Sequence, residues 1–336
     1  MPQLQSININ DDVVTETTKV TTGYFTGDIG TLAGSSFVTS SLTADQKEYY
    51  YNIQYSSADQ FSVTFGNING SGSNDTVGQT KAIYKQFSDL LLFPADIETN
   101  GFQFDGSTTE ESVYFLVGER ARMKDRLNRK NWTLTLSGST AAALSSDVLS
   151  LTDDSSTVTA TPTPAGPRYN IVSGALGTVH TPATSKTYGW FYPNIGIMAF
   201  SQTQLSASIP GSSHALHDGF DLSSSIDGTA DNAFKMFHAI SRSDSGVTMR
   251  SEEDQITTSY FIRARARDWN FSNNPTFGSG SDYTFAIREF TGNPQTFITT
   301  VGLYDQAAKL VAVGRLSTPV LKNFSSEATI KVKLVY

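Results

Sequence analysis

Alternation with a period of two runs through this chain and limits what it can fold into. Phe61, Val63 and Phe65 alternate with Ser62 and Thr64, and Trp132, Leu134 and Leu136 alternate with Thr133, Thr135 and Ser137. Near the end, Ile330, Val332, Leu334 and Tyr336 alternate with Lys331 and Lys333. Successive side chains of a strand point to opposite faces, so such segments form half-buried strands and offer no helical stripe. Val, Ile, Thr, Tyr and Phe dominate them, the residue types that pack well on a pleated surface. Thr258–Asp268 follows the same rule, with Tyr260, Ile262, Ala264 and Ala266 on one face and Phe261, Arg263, Arg265 and Arg267 on the other. Phe297–Tyr304 and Leu310–Leu316 read as two arms of a hairpin around Asp305-Gln306-Ala307-Ala308, and Thr329–Tyr336 as a final strand. Strands outnumber helices and show no βαβ rhythm. The expected fold class is therefore mainly β (α+β), with antiparallel sheets or sandwich-like modules and a few short helices.

Two segments carry helical spacing. Over Thr80–Leu92, the residues Ile83, Phe87, Leu90 and Leu91 share a face, and Pro94 is expected to close the helix. Over Asp231–Ser241 the stripe is Ala233, Met236, Phe237 and Ile240, with Thr229 or Asp231 as N-cap. The Ser/Thr/Ala-rich stretch from Gly138 ends in a Pro cluster at 161–167, which a central sheet would not accommodate. Residues 138–167 are therefore expected to be a linker or insertion with a short strand at Val148–Leu151. It would separate an N-terminal mixed β domain (1–137) from a mainly β domain (168–336). Ser206–Asn232 reads as a long polar loop.

The 336 residues are 38% hydrophobic and only 17% charged, enough apolar material for a real core and too little charge for a disordered acidic chain. Against 32 acidic side chains stand 24 Lys and Arg, a net charge of −8, which disfavours nucleic acid and anionic membranes as partners. Cysteine is absent, so disulfides, thiolate metal sites and thiol nucleophiles are excluded. Met1 to Val14 is polar and acidic, unlike a signal peptide, and no apolar run approaches the ~18 residues of a membrane span. The expectation is a chain made in the cytoplasm, without membrane insertion.

No catalytic constellation emerges. A nucleophile elbow, a phosphate loop and a dinucleotide fingerprint are all missing, and Gly70-Ser71-Gly72 and Gly278-Ser279-Gly280 read as loop pieces. Neither catalytic nor cofactor-binding nor metal-ligating residues are expected, and no enzyme activity. Of the histidines His180, His214, His217 and His238, the His214–Asp218 cluster sits in a polar stretch without helical periodicity, so its spacing fixes no shared face. His238 borders the apolar stripe of a helix. Asp153-Asp154 and Glu252-Glu253-Asp254 read as solvated turns. The Asn131-Trp132-Thr133 sequon carries no weight without secretion. The aromatic runs Tyr49-Tyr50-Tyr51 and Trp190-Phe191-Tyr192 suit a sugar-stacking platform, or a core or subunit interface.

Two basic clusters stand out against the acidic background. One is Arg120, Arg122, Lys124, Arg126, Arg129 and Lys130; the other is the stripe Arg263, Arg265 and Arg267. Like charges two residues apart on one strand face repel unless carboxylates or phosphates answer them. Arg120, Arg122, Arg126, Arg263, Arg265 and Arg267 are thus candidate partner-docking residues. An internal ion-pair network with the chain's own acids is the equal alternative.

The segments Lys81–Leu92, Val113–Gly138, Thr258–Phe277 and Thr296–Tyr336 resemble structural proteins of cyanophages and related marine contractile-tailed bacteriophages. Within the last of these, Gly302-Leu303-Tyr304-Asp305 followed by Leu310-Val311-Ala312-Val313 is similar to the ends of baseplate and tail-fibre subunits. The resemblance covers roughly a third of the chain, spread over most of its length. It implies a virion structural protein, in first place a wedge-type subunit of the tail baseplate that assembles in multiple copies with neighbouring tail proteins. The alternatives are a tail-fibre or receptor-binding module contacting host-surface glycans, and a neck or capsid decoration protein. It supplies no catalytic residue and no cofactor.

Overall fold

The computed structural model describes residues 4–39, 50–72, 78–138, 148–209, 231–243, 245–279 and 284–336. The fold is mainly β and antiparallel throughout, with a few short helices. The chain divides into two compact units, Lys19–Glu253 and a second made of Met1–Thr18 with Asp254–Tyr336. The strands Val13–Gly23 and Arg250–Ala264 each run across that division.

The Lys19–Glu253 unit is organised by an 11-stranded sheet. Its path runs Val38–Thr39, Tyr51–Tyr55, Ala58–Asn67, Ser112–Gly118, Ile197–Ser201, Gly189–Tyr192, Gly166–Ala175, Val148–Asp153 and Leu134–Ser137. The central strands are apolar on both faces, because a covering layer lies on each side. Register makes this explicit. Val63, Leu116 and Met198 are aligned across three neighbouring strands and join one core, and Phe115 and Ala199 one step along join the other. The helix Asp231–Ser241 seals the first core with Ala233, Met236, Phe237, Ala239 and Ile240. The helix Gln79–Leu91 seals the second with Ile83, Tyr84 and Leu91, and its Phe87 ring stacks on Phe115 at 4.0 Å.

Both helices lie where their spacing places them. Leu90, however, is exposed and Tyr84 takes the buried place expected for it. Pro94 does not simply stop the first helix. It opens another, Pro94–Thr99, at the first position, where its missing N–H costs nothing. Thr229 lies outside the described residues.

The expected linker at 138–167 is not where the chain divides. Its described part belongs to the large sheet, since Val148–Asp153 pairs with both Leu134–Ser137 and Gly166–Ala175. The Pro cluster folds into a short edge hairpin, with Thr161 opposite Arg168 and Pro162 opposite Pro167. Two prolines facing each other at an edge remove donors that no further strand needs. Gly166, at φ +101°, supplies the left-handed turn that closes the hairpin. The expected loop at Ser206–Asn232 begins instead inside a helix, Gln202–Ser208, capped by Ser201 Oγ on the Gln204 N–H; residues 210–230 lie outside the described set.

In the other unit, Arg250–Ala264 pairs with Ala328–Val335, Thr257 opposite Val335 through Ala264 opposite Ala328. Thr296–Tyr304 and Leu310–Lys322 form the expected C-terminal hairpin. The Lys309 N–H closes its turn by donating to Asp305 Oδ1 at 2.8 Å.

Candidate functional site

The two basic clusters have different fates. In the first, Arg126 lies beside Glu252 on a neighbouring strand and its Nε donates to Glu252 Oε1 at 2.7 Å. Lys19 Nζ meets the same oxygen at 3.3 Å, and Lys124 Nζ stands 3.5 Å from Glu253. The Glu252 side chain is 9% exposed, so this carboxylate is a buried acceptor and not part of a solvated turn. Arg129 Nη1 donates to the Tyr169 hydroxyl and its guanidinium lies 5.4 Å from that ring's centre. Arg120 is exposed and donates to the Asp125 carbonyl at 3.2 Å, while Arg122 is half-buried. Internal pairing thus accounts for Arg126, Lys124 and Arg129. Arg120 is the exposed member of the candidate docking set here.

The second cluster is not a stripe. The strand ends at Ala264, and only Arg263 of the three arginines belongs to it. The chain turns at Arg265, whose carbonyl accepts from the Asp268 N–H at 3.0 Å, and Trp269 adopts φ +58°. Buried Lys322 forces the departure. Its ammonium donates to the Ala266 carbonyl at 2.9 Å and to Asn270 Oδ1 and the Asn323 carbonyl at 2.8 Å each. A backbone carbonyl claimed by an ammonium cannot also serve a sheet ladder. Arg263 and Arg267 make long, exposed ion pairs at 3.8 Å with Glu327 and Asp268. Arg265 is exposed and forms no ion pair among the described residues.

The acidic pair Asp153-Asp154 is fully buried, against the expectation of a solvated turn. Asp153 Oδ1 accepts the Lys130 N–H at 2.9 Å. Asp154 receives the Asn170 N–H at 3.0 Å and its Nδ2 at 2.8 Å. Burial pushes the Asp154 carboxyl up from its usual range, and these two donors pull it partway back. Sequence alone reads adjacent acids as solvent-facing because the donors that satisfy them come from distant strands.

The aromatic run Trp190-Phe191-Tyr192 is buried, with Trp190 and Tyr192 on one core and Phe191 on the other. The Arg168 guanidinium lies 3.8 Å over the Trp190 ring, which also packs on Phe104 at 4.8 Å. Burial pushes the Tyr192 hydroxyl up to about 12. This run is core, not a sugar platform. Tyr51 is buried too, Tyr50 is exposed, and Tyr49 lies outside the described residues. Trp132 of the sequon is fully buried.

His180 is exposed and its N–H donates to the Ser173 carbonyl at 2.8 Å. His238 is half-buried and packs edge-on against Phe234 at 4.3 Å. The His214–Asp218 cluster lies outside the described residues. Among those described, no group of three His, Asp or Glu side chains is placed to share a metal ion. No described helix is long and apolar enough to cross a membrane.

A cleft of about 350 Å³ opens between the Gln79–Leu91 helix and the sheet, lined by Tyr50, Ser62, Ile83, Gln86, Phe87 and Val117. These side chains carry no charge and offer neither a base nor a metal ligand. A smaller hollow of about 60 Å³ contains Glu110. Both oxygens of that carboxylate are occupied, one by Ser201 Oγ and the other by the Thr203 N–H at 3.0 Å and hydroxyl at 2.7 Å. It ties a loop to the start of a helix.

Sequence reasoning did not single out the outer face of the Thr296–Lys322 hairpin. Phe297, Val311 and Val313 are 62%, 66% and 60% exposed, and Tyr304, Leu310 and Leu321 lie bare beside them. The signal was present as apolar residues on both faces of Leu310–Val313, more than one buried face requires. Compared with known proteins, the chain matches no family model, no curated protein and no solved structure.

Proposed function

We propose that this chain is a structural protein of a tailed-bacteriophage virion, a tail baseplate subunit that holds neighbouring tail proteins in fixed geometry. The observation that carries the reading is the bare apolar face of the C-terminal hairpin. It falls in the same segment, Thr296–Tyr336, that resembles baseplate and tail-fibre proteins. Exposed contiguous apolar surface of that extent marks an interaction site. Arg120, Arg263, Arg265 and Arg267, all exposed, are further contact points for acidic neighbours.

The role proposed is non-enzymatic, without cofactor, nucleic acid or membrane insertion, in a protein made in the host cytoplasm and carried out in the particle. A glycan-contacting module is the weaker alternative, because its better aromatic platform, Trp190-Phe191-Tyr192, is core. Peptide mass spectrometry of washed particles, followed by gold-labelled antibody in the electron microscope, tests the proposal. Label at the distal end of the tail, several copies per particle, is the expected result. Absence from washed particles, or label confined to the head, overturns it.

A further inference from the structure

We infer that the outer face of the Thr296–Lys322 hairpin is an interface between copies of this chain. The inference rests on burial within the unit formed by 1–18 and 254–336, and it stands whether or not the virion reading does.

Register and close contacts define the face. Directly opposed residues of an antiparallel pair share a face, which puts Phe297 with Leu321, Gly302 with Val313 and Tyr304 with Leu310. A Cβ on Gly302 would lie 3.0 Å from the Tyr304 ring and 3.1 Å from Leu310 Cδ1, so both side chains fold over Gly302 on the outer side. A Cβ on Gly314 would instead meet Val332 at 4.0 Å, so the inner side looks onto the final strand. The irregular register between Leu303 and Tyr304 adds Val311 to the outer set.

The unit carrying this hairpin has almost no core of its own. Among its described residues, only Ala264, Phe277, Leu303 and Ile330 are fully buried apolar side chains. A fully buried aliphatic or aromatic side chain contributes about 1.5–3 kcal/mol. Ordering a body of about 100 residues costs on the order of 100 kcal/mol in conformational entropy. Four such side chains cannot offset that. The remainder has to come from apolar surface that is bare in the single chain, and most of the chain's exposed large hydrophobic side chains do lie in this unit.

The size of the face fits one partner. Six large apolar side chains, each roughly half bare, present on the order of 600 Å², at the upper limit for a monomer's largest patch. A standard interface takes about 800 Å² from each partner. Arg315, opposite Thr300, is the charged residue among these outer pairs, so the face selects no partner by opposite charge. A surface that must be covered for its unit to fold needs a partner present from synthesis onward. A second copy of the chain is the one partner always supplied with it.

The chain has no cysteine, so Val313→Cys introduces a single thiol on this face. Treatment of the full-length variant with a short bismaleimide is expected to give a covalent dimer. The control Val158→Cys, on an exposed apolar residue of the other unit, is expected to give none. Sedimentation of Val311→Asp/Val313→Asp is expected to show association weakened about 10-fold or more relative to wild type. A wild-type chain that stays monomeric at about 100 μM, where an interface of this size associates, overturns the inference. So does equal cross-linking at both positions, or unchanged assembly in a double variant that keeps the wild-type circular dichroism. If the double variant unfolds, the conservative cysteine pair decides alone.

Discussion

Replacing Lys322 by Met would remove the tie between the C-terminal hairpin and the turn at 265–270, with little change in side-chain volume. Lys322 is 0% exposed, and its three ammonium hydrogens meet three acceptors at 2.8–2.9 Å. The substitution leaves two backbone carbonyls and one amide oxygen buried without that donor, at about 1–3 kcal/mol each. Part is recovered, because the ammonium no longer has to be desolvated. That same desolvation holds the ammonium's proton affinity below its usual value. A net loss of about 2–4 kcal/mol is expected, most of it local to the unit with the thin core. Hydrogen exchange followed by mass spectrometry reads this directly. Peptides spanning 265–270 and 320–323 should exchange roughly 30- to 1,000-fold faster, with strands of the large sheet unchanged. The pH dependence has a definite sign. A base whose folded pKa is depressed binds fewer protons folded than unfolded over the window below 10.5, so stability rises with pH there. The difference between wild type and variant should therefore grow towards alkaline pH. Unchanged protection at 265–270 would refute the account.

Other consequences follow from the buried charges and the exposed arginines. Arg126→Ala leaves Glu252 buried with only the longer Lys19 contact and should cost about 2–4 kcal/mol in urea unfolding, whereas a loss under about 0.5 kcal/mol would sink the ion-pair reading. Asn170→Ala removes the Nδ2 donor to Asp154, so the carboxyl should titrate higher still by carbon NMR; a downward or absent shift counts against the assignment. Since that acid is already raised, it takes up protons in the folded state first, and its contribution to stability improves as pH falls towards 3.8. Arg265→Glu should leave urea stability within about 0.5 kcal/mol and yet block incorporation into particles, and loss of the soluble fold would instead assign it an internal role.

How much of this was legible depends on whether the deciding contact is local. Alternation at Phe61–Phe65, the stripe at Ala233–Ile240 and the hairpin around Asp305–Ala308 each follow from neighbours in sequence, and the structure has all three. The burial of Asp153, Asp154 and Glu252 did not follow, because Asn170 and Arg126 reach them from other strands. The arginine stripe failed for the same reason. Period two continues through Arg267 in the sequence, while Lys322, more than fifty residues on, takes the Ala266 carbonyl and bends the chain away. The Ser/Thr-rich stretch misled through composition, since Leu149 and Leu151 suffice to seat a strand between two others.

The two units also differ in what their alternation means. In the large sheet, a run such as Val113–Leu116 is apolar at every position because a helix-bearing layer covers each face, and both cores are complete within the chain. In the hairpin, Leu310–Val313 is apolar on both faces although only the inner one is covered. A sequence does not distinguish these cases, since it records that two faces are apolar and not what covers them. The distinction is energetic. Bare apolar area of this size costs solubility and contributes nothing to folding until a partner removes it from water. The excess of two-sided apolar residues over available covering layers is therefore a count of missing neighbours, and in this chain the excess collects on the hairpin's outer face.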